Sequence, residues 1–274
     1  MLTEFDRKNI AEYNSEHSLN YYRNYLAWLF DTFKTSESVF RNTLVDKLDP
    51  LPGMRVLITG VGFGDDIPLI LEKLGPHGEL HCQDISLSMV KYCASNYSDS
   101  RLFFTVSNAT NLPYKSKYFD RVFHFGGINL FGNLLNSIKE MERVTKYGGK
   151  VVFGDEGVAE HLRNSEYFRI VTTNNSLYSA RNPFHLLPEN STNCELTYLL
   201  QNCFYLITFT PEEVIPNIDM DVLHKSPRGG SMRKRFFGQL EGVSPEHKEK
   251  LINYAKRNKI SFSDLLEKII DKLE

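Results

Sequence analysis

Apolar runs and helical periodicities alternate between residues 54 and 155. Runs typical of buried strands stand at 54–59, 79–84, 101–106, 119–125 and 149–155. Helical spacing fills the gaps between them, at 65–74, 86–97 and 132–146. Alternation at this spacing predicts an α/β fold, a doubly wound and mostly parallel sheet with helices on both faces. Ligands of such sheets lie at the carboxyl ends of the strands, so the residues just after each strand are the candidates for function.

The chain before this body has a helical pattern from 4 to 49, with breaks near 14–16 and 35–36. We treat residues 1–50 as an N-terminal helical cap. Its segment LNYYRNYLAWLFDTF is crowded with aromatic side chains. Such a stripe more often packs in a core than it contacts a ligand. The functional hypothesis makes Tyr22 and Tyr25 part of a substrate site beneath the cap.

The main domain is predicted to span 51–240. Residues 157–193 carry many Asn, Ser and Pro residues and predict an irregular lid insertion. The segment from Cys194 is strand-like and is expected to complete the sheet. A basic cluster follows, which is either a solvated face or a loop that binds an anionic substrate group through Arg228 and Arg233.

Residues 241–274 have the signals of a C-terminal helical pair. Ser244 precedes Pro245 at a first helical position, and Ser261 with Asp264 forms a variant capping box. An apolar stripe runs along the second helix. We expect the pair to pack on its own domain or to form a homodimer interface.

The stretch MRVLITGVGFGDD, residues 54–66, joins the first strand to the first helix of the body. Gly60, Gly62 and Gly64 let a ligand approach the backbone closely and permit a tight turn. A dinucleotide fingerprint would place its last glycine at Asp65, where a carboxylate suits a pyrophosphate poorly. The turn therefore favours a ligand with a cationic or neutral end.

Two further strand ends carry candidate binding residues. Asp84 follows the second strand, roughly twenty residues after the last glycine, where a carboxylate can accept both ribose hydroxyls. Its alternative is a helix N-cap, but Ser86 is the better cap. After the third strand, the Asn108 amide and the Ala109 backbone can bind an adenine edge, although Asn is also common in turns.

Taken in order, the series VLITGVGFG, LHCQDIS, SNATNLPYKSKYFDRVFHFGGINLF and IKEMERVTKYGGKVVFGDE resembles a class I S-adenosylmethionine-dependent methyltransferase. Within that superfamily it is most similar to the ubiquinone/menaquinone-biosynthesis methyltransferase (methyltransferase type 11) group. The resemblance covers residues 54–156 and implies a seven-stranded Rossmann-like sheet and S-adenosyl-L-methionine as cofactor. The expected cofactor-binding residues are Thr59, Gly60, Gly62, Gly64, Asp84, Ile85, Asn108, Ala109, Phe125 and Gly126.

One position departs from the family pattern. The family commonly has Asp or Glu two residues before the first glycine, where this chain has Ile58. A carboxylate that holds the methionine ammonium would then come from elsewhere. Asp65, Asp66 or backbone carbonyls can compensate.

Methyl transfer from a sulfonium needs alignment and exclusion of water, and a base only where the nucleophile must lose a proton. Asp155 and Glu156 end the fifth strand, and each is a candidate base or a cap of the following helix. His185 in the predicted lid is a further candidate base. Asn129 is expected to orient the substrate, whereas His124 is interpreted as structural.

Composition limits the remaining possibilities. The chain has 274 residues and a formal net charge of −2, so a nucleic-acid partner is not expected. Its four cysteines form no C-x-x-C pair, which fits reduced thiols and a cytoplasmic location. Neither a signal pattern, a membrane span nor a metal site is expected.

The leading hypothesis is thus a methyltransferase acting on an O, N or C nucleophile of a small molecule, such as a natural product or a quinone-like aromatic. The alternatives are a methyltransferase acting on a peptide or RNA, and a non-catalytic protein that binds S-adenosylmethionine. A nicotinamide-dependent oxidoreductase is disfavoured, because the third glycine of the dinucleotide pattern is missing.

Overall fold

In the computed structural model, residue 7 and residues 18–225, 229–237 and 243–273 are described. The chain divides into two compact units, one up to Pro216 and one from Asn217 onward. The early part of the predicted cap and Arg228 lie outside the described residues. The predicted domain limits at 50 and 240 therefore stay predictions.

Seven strands form a single sheet in the first unit. They are β1 (Arg55–Thr59), β2 (Glu79–Asp84), β3 (Leu102–Val106), β4 (Phe119–Phe125), β5 (Thr145–Glu156), β6 (Ser191–Leu199) and β7 (Phe204–Pro211). Their order is β3-β2-β1-β4-β5-β7-β6, in which β7 is antiparallel to both β5 and β6. This confirms the predicted mostly parallel, doubly wound sheet. The order reverses between β1 and β4, where a ligand crevice is expected.

Within residues 18–216, six α-helices accompany this sheet. They are α1 (Ser18–Thr32), α2 (Glu37–Leu48), α3 (Ile67–Leu74), α4 (Leu87–Asn96), α5 (Leu134–Val144) and α6 (Glu166–Asn174). The Ser36 hydroxyl accepts from the Val39 amide at the start of α2, which places the break between α1 and α2 near the predicted one. The Ser86 hydroxyl caps α4 in the same way, accepting from Met89.

Alternate residues of each strand enter two separate cores, because successive side chains of a strand point to opposite faces. Val56 and Ile58 of β1 belong to the core that contains α1, α2 and α3, whereas Leu57 belongs to the other. In β7, Phe204 joins the first core and Tyr205 the second. Continuous apolar runs are therefore what a sheet covered on both faces requires.

Two predicted boundaries need correction. The fifth strand begins at Thr145 rather than 149, since Thr145 already pairs with Phe119 before an irregularity in the register. The predicted irregular segment 157–193 contains the helix α6, whose N-cap Ser165 accepts from the Phe168 amide. Its high Asn and Ser content hid an ordinary capped helix.

The described part of the second unit contains three helices, α7 (Met232–Phe237), α8 (Pro245–Arg257) and α9 (Phe262–Ile270). Ser244 and Ser261 cap α8 and α9 as predicted. Arg233 lies in α7 rather than in a loop, and its Nε lies 3.0 Å from Oδ1 of Asp221. No helix among the described residues is long and apolar enough to cross a membrane.

Candidate active site

A cavity of about 770 Å³ opens where the strand order reverses. Its volume lies within the range of about 300–1,000 Å³ that is usual for small-molecule sites. Residues from the turn after β1, the ends of β2 to β5 and the helices α1 and α2 line it. One space therefore joins the glycine turn to the aromatic cap.

The glycine turn brings main chain to the cavity surface. Gly60, Gly62 and Gly64 all line it and all have positive φ, at 64°, 54° and 78°. A Cβ on Gly60 would lie 2.9 Å from Cε1 of His124, so only glycine fits between the turn and that ring. Thr59 is fully buried behind the turn and is not among the lining residues.

Asp84 connects the turn to the end of β2. Its Oδ2 accepts from the Gly62 amide at 2.9 Å, and its Oδ1 accepts from the Ser86 amide at 2.8 Å. Burial raises the pKa of this carboxyl, and the amides that donate to it oppose that rise. Asp84 and Ile85 both line the cavity, so the carboxylate lies where it can accept from a ligand hydroxyl.

Asn108 and Ala109 line the same end of the cavity, after β3. The Asn108 Oδ1 accepts from the Thr110 amide at 2.9 Å, which fixes the side chain in its turn. Met89, at the start of α4, also lines this end and was not identified from the sequence. These residues at the ends of β2 and β3, together with the glycine turn and Asp84, form the part of the cavity that we call the narrow end.

His124 is a buried, neutral support beneath the turn. Its Nδ1 lies 2.6 Å from the Thr59 carbonyl oxygen, so this nitrogen carries the proton and donates. Burial lowers the pKa of the imidazole to about 4, so the ring is uncharged near neutral pH. This geometry fits the structural role expected for His124.

The opposite part of the cavity, which we call the wide end, is lined mostly by aromatic and apolar side chains. Phe125 ends β4 there and Gly126 follows it, while Phe204 begins β7. From the cap, α1 and α2 add side chains that are mostly apolar: Tyr21, Tyr22, Tyr25, Leu26, Leu29, Phe30 and Phe40. The two tyrosines proposed for the substrate therefore do reach the cavity, alongside neighbours predicted to be core.

Glu156 is the carboxylate at this wide end. It lines the cavity, and the Tyr25 hydroxyl donates to its Oε1 at 3.1 Å. Burial, followed by the nearby Glu156 charge, raises the pKa of Tyr25, so the phenol stays protonated and acts as the donor. A carboxylate in this position can accept a proton from a bound molecule.

Two neighbouring predicted site residues, Asp155 and Asn129, are not among the residues that line the cavity. Asp155 is fully buried and accepts from the amides of Asn129, at 2.7 Å, and Glu156, at 2.9 Å. Burial, reinforced by Glu156, raises its pKa well above the usual value. Asn129 in turn donates from Nδ2 to the Glu156 carbonyl at 2.7 Å. Asp155 and Asn129 thus support the backbone behind Glu156.

His185 is exposed and lies in the short 3₁₀ helix Phe184–Leu186. Its neighbours Phe184 and Leu186 pack against the core on the sheet face opposite α1 and α2. The structure therefore does not bring it to the cavity. Arg233, in the second unit, pairs with Asp221, so its proposed role with substrate stays a prediction.

Among the described residues, the charged ones that line the cavity are Arg41, Asp65, Asp66, Asp84 and Glu156. Four carboxylates against one guanidinium suit a ligand with net positive charge. S-adenosylmethionine has two positive groups and one negative group, so the residues present fit it. No cluster that could hold a metal ion occurs among the described residues.

Comparison with known proteins agrees with this geometry. Residues 57–153 match the family model described as a methyltransferase domain. Over 103 residues the chain is 37% identical to the ubiquinone/menaquinone biosynthesis C-methyltransferase UbiE of Bordetella parapertussis, covering 37% of this chain and 40% of that protein. It is 28% identical over 148 residues to a demethylmenaquinone methyltransferase of Geobacillus sp. (strain WCH70), covering 53% and 58%.

Among solved structures, phosphoethanolamine N-methyltransferase 2 of Haemonchus contortus aligns with a TM-score of 0.60 at 14% identity, over 77% of this chain and 61% of that one. This likeness shows the fold. The chain thus carries a class I, S-adenosylmethionine-dependent methyltransferase domain with a Rossmann-like sheet. Within that class the matched part is similar to proteins of the UbiE-like group, and the match spans about half the length of these curated relatives.

Proposed function

We propose that this protein transfers the methyl group of S-adenosylmethionine to a small, largely apolar acceptor, with a quinone-like aromatic as the leading candidate. The observation that carries the proposal is a single cavity that has the glycine turn and Asp84 at one end and Glu156 beneath an aromatic cap at the other. The similarity to quinone-modifying C-methyltransferases supports the aromatic class of acceptor.

The chain's residues have separable tasks in this reaction. The glycine turn and Asp84 hold the adenosyl part, and the ends of β2 and β3 surround the base. When bound, S-adenosylmethionine supplies a methyl group on a sulfonium, a leaving group that keeps the electron pair of the broken carbon–sulfur bond. Glu156 accepts the proton that an O, N or C nucleophile loses as its bond to the methyl carbon forms.

The cap aligns the methyl acceptor and keeps water away from it. Apolar and aromatic residues of α1 and α2 exclude water from the wide end, which strengthens electrostatic interactions there. Of the described residues that line this end, none brings a cation next to Glu156 and Tyr25, so an anionic acceptor group would find no partner there. An uncharged aromatic that carries a hydroxyl group fits this environment.

Isothermal titration with S-adenosylhomocysteine tests the first step, and saturable binding is expected. The second step is incubation with methyl-labelled S-adenosylmethionine and a reduced hydroquinone lacking one ring methyl group. Label is expected in the methylated hydroquinone. Absence of cofactor binding would refute the proposal, whereas binding with transfer only to a peptide or RNA would refute the class of acceptor.

A further inference from the structure

Arg41 differs in the sign of its charge from the other described charged residues that line the cavity. It lies in α2, and its side chain is only 11% exposed. Of the described charged residues that line the cavity, it alone is a cation. A buried guanidinium that faces a ligand space is a site for an anionic group of that ligand.

Its present contacts join the cap to the glycine turn. Nη1 donates to Asp66 at 3.0 Å, and Nη2 donates to Asp65 and to the Tyr22 hydroxyl, both at 3.1 Å. Nε donates to Glu37 at 2.7 Å. These bonds use four of the five N–H groups of the guanidinium. Burial alone would lower the Arg41 pKa, but Asp66 and its neighbours raise it, so the charge is permanent.

Asp65 is the matching anion. Its side chain is 11% exposed, and it accepts from Arg23 at 2.6 Å as well as from Arg41. Both Asp65 and Arg41 line the cavity, while Ile58 contributes no polar atom there. The wall beside the glycine turn therefore presents one positive and one negative group next to each other.

Arg41 lies on the side of the cavity that β4 forms. Phe40, adjacent to Arg41 in α2, packs on Phe125 at the end of β4, with ring centroids 5.2 Å apart. Asn108 and Ala109, at the end of β3, mark the opposite side. The Arg41–Asp65 pair is thus placed at the end of the ligand that is remote from the adenine.

We propose that Arg41 binds the α-carboxylate of the amino-acid end of S-adenosylmethionine and that Asp65 binds its α-ammonium. This inference rests on the proposed function and assigns the residues that recognise one end of the cofactor. A zwitterion carries the same two charges as the pair, so partners exchange without leaving either partly buried charge unpaired. The cost of opening the ion pair is offset by the two new charge-assisted bonds.

Two ligands separate this proposal from a purely structural role. S-adenosylhomocysteine has the amino-acid end, and 5′-methylthioadenosine lacks it but keeps the adenosyl thioether. The wild-type protein is expected to prefer the first in titration calorimetry. Arg41→Gln should reduce that preference at least about tenfold, which corresponds to about 1.4 kcal/mol, because the carboxylate loses its cation.

Arg23→Gln is the matched control. Arg23 also bonds Asp65 but is 43% exposed and is not among the cavity-lining residues, so its variant should keep the wild-type preference. If Arg41→Gln does not fold by circular dichroism, Arg41→Lys takes its place. Lysine keeps the charge but loses the planar fork, so a smaller loss of preference is expected.

Asp65→Asn tests the ammonium half with an analogue of S-adenosylhomocysteine that lacks the α-amino group. This variant should bind S-adenosylhomocysteine more weakly and the deaminated analogue with unchanged affinity. An unchanged ligand preference in the Arg41 variant, whatever its absolute affinities, would overturn the proposal. Failure of the wild-type protein to bind either adenosyl ligand would instead overturn the proposed function itself.

Discussion

The two ends of the cavity are built in different ways. The narrow end comes from short, contiguous turns after β1, β2 and β3, and its contacts are largely to main chain, such as the bond from the Gly62 amide to Asp84. The wide end joins α1, α2, β4, β5 and β7, whose residues are as far apart in sequence as Tyr25 and Glu156. The glycines that expose this main chain tolerate few substitutions, whereas a wall of side chains can change its ligand without changing the fold.

Glu156, at the wide end, is the proposed proton acceptor. Its replacement in Glu156→Gln should have the largest effect on activity. The amide keeps the shape but cannot accept a proton, so kcat should fall by about 10²- to 10⁴-fold, the usual contribution of a general base. Affinity for S-adenosylhomocysteine should stay close to wild type. Steady-state kinetics and calorimetry measure the two quantities.

Glu160→Gln is the control for that change, since Glu160 is exposed and pairs with Arg163. Its kcat should equal that of the wild type. Full activity of the Glu156 variant would mean that the reaction needs no base at this end. The two ends of the cavity would then differ only in which part of the bound molecules each one contacts.

The narrow end should be the part that decides cofactor affinity. Asp84→Ala removes the acceptor for the Gly62 and Ser86 amides and for ligand hydroxyls. Binding of S-adenosylhomocysteine should weaken by about 1–3 kcal/mol, the usual cost of leaving buried partners unsatisfied. Asp99→Ala, which removes a carboxylate paired with Arg101 away from the cavity, should leave the affinity unchanged.

A comparison of Gly62 with Gly53 separates the effect of backbone strain from the effect of contact with the ligand. Gly62, with φ of 54°, lines the cavity, and Gly53, with φ of 81°, lies in the turn before β1; a Cβ on either would meet no atom within 4 Å. Alanine at each should lower the free energy of unfolding by about 1–2 kcal/mol through left-handed strain. Denaturant titration and calorimetry should show that only Gly62→Ala also weakens cofactor binding.

His124, which lies beneath the glycine turn, should make the folded protein less stable in acid. Burial lowers the His124 pKa to about 4, below the usual 6.5, so between these pH values the unfolded chain binds a proton that the folded chain does not. Stability from this group is complete above pH about 6.5 and should fall by about 1 kcal/mol per pH unit as pH decreases towards 4.

Denaturant titrations across this pH range measure the slope. His124→Asn keeps a donor for the Thr59 carbonyl but cannot titrate, so its slope should be smaller. Substitution of His77, which is exposed, should leave the slope unchanged. Equal slopes in all three proteins would show that His124 is not a determinant of acid stability.

Local patterns were enough to predict the sheet and to expect the residues of the narrow end to lie near one another. Apolar runs and helical periods are local patterns, and the glycine turn, Asp84 and Asn108 each follow directly from a strand whose position the pattern predicts. Parallel strands bring their carboxyl ends to one edge, so order along the chain was enough to expect these residues to meet. Ser165 and α6 were a local signal that the Asn-rich composition concealed.

Long-range packing sets which side chains of α2 and β5 face the cavity. Arg41 stands four residues after Glu37, which in sequence looks like an ordinary exposed helix pair, yet packing of α2 turns it onto Asp65 and Asp66. Asp155 and Glu156 are adjacent and chemically alike, but alternation along β5 buries the first and exposes the second to the cavity. Which face of an element meets a ligand depends on long-range packing, and no local pattern encodes that choice.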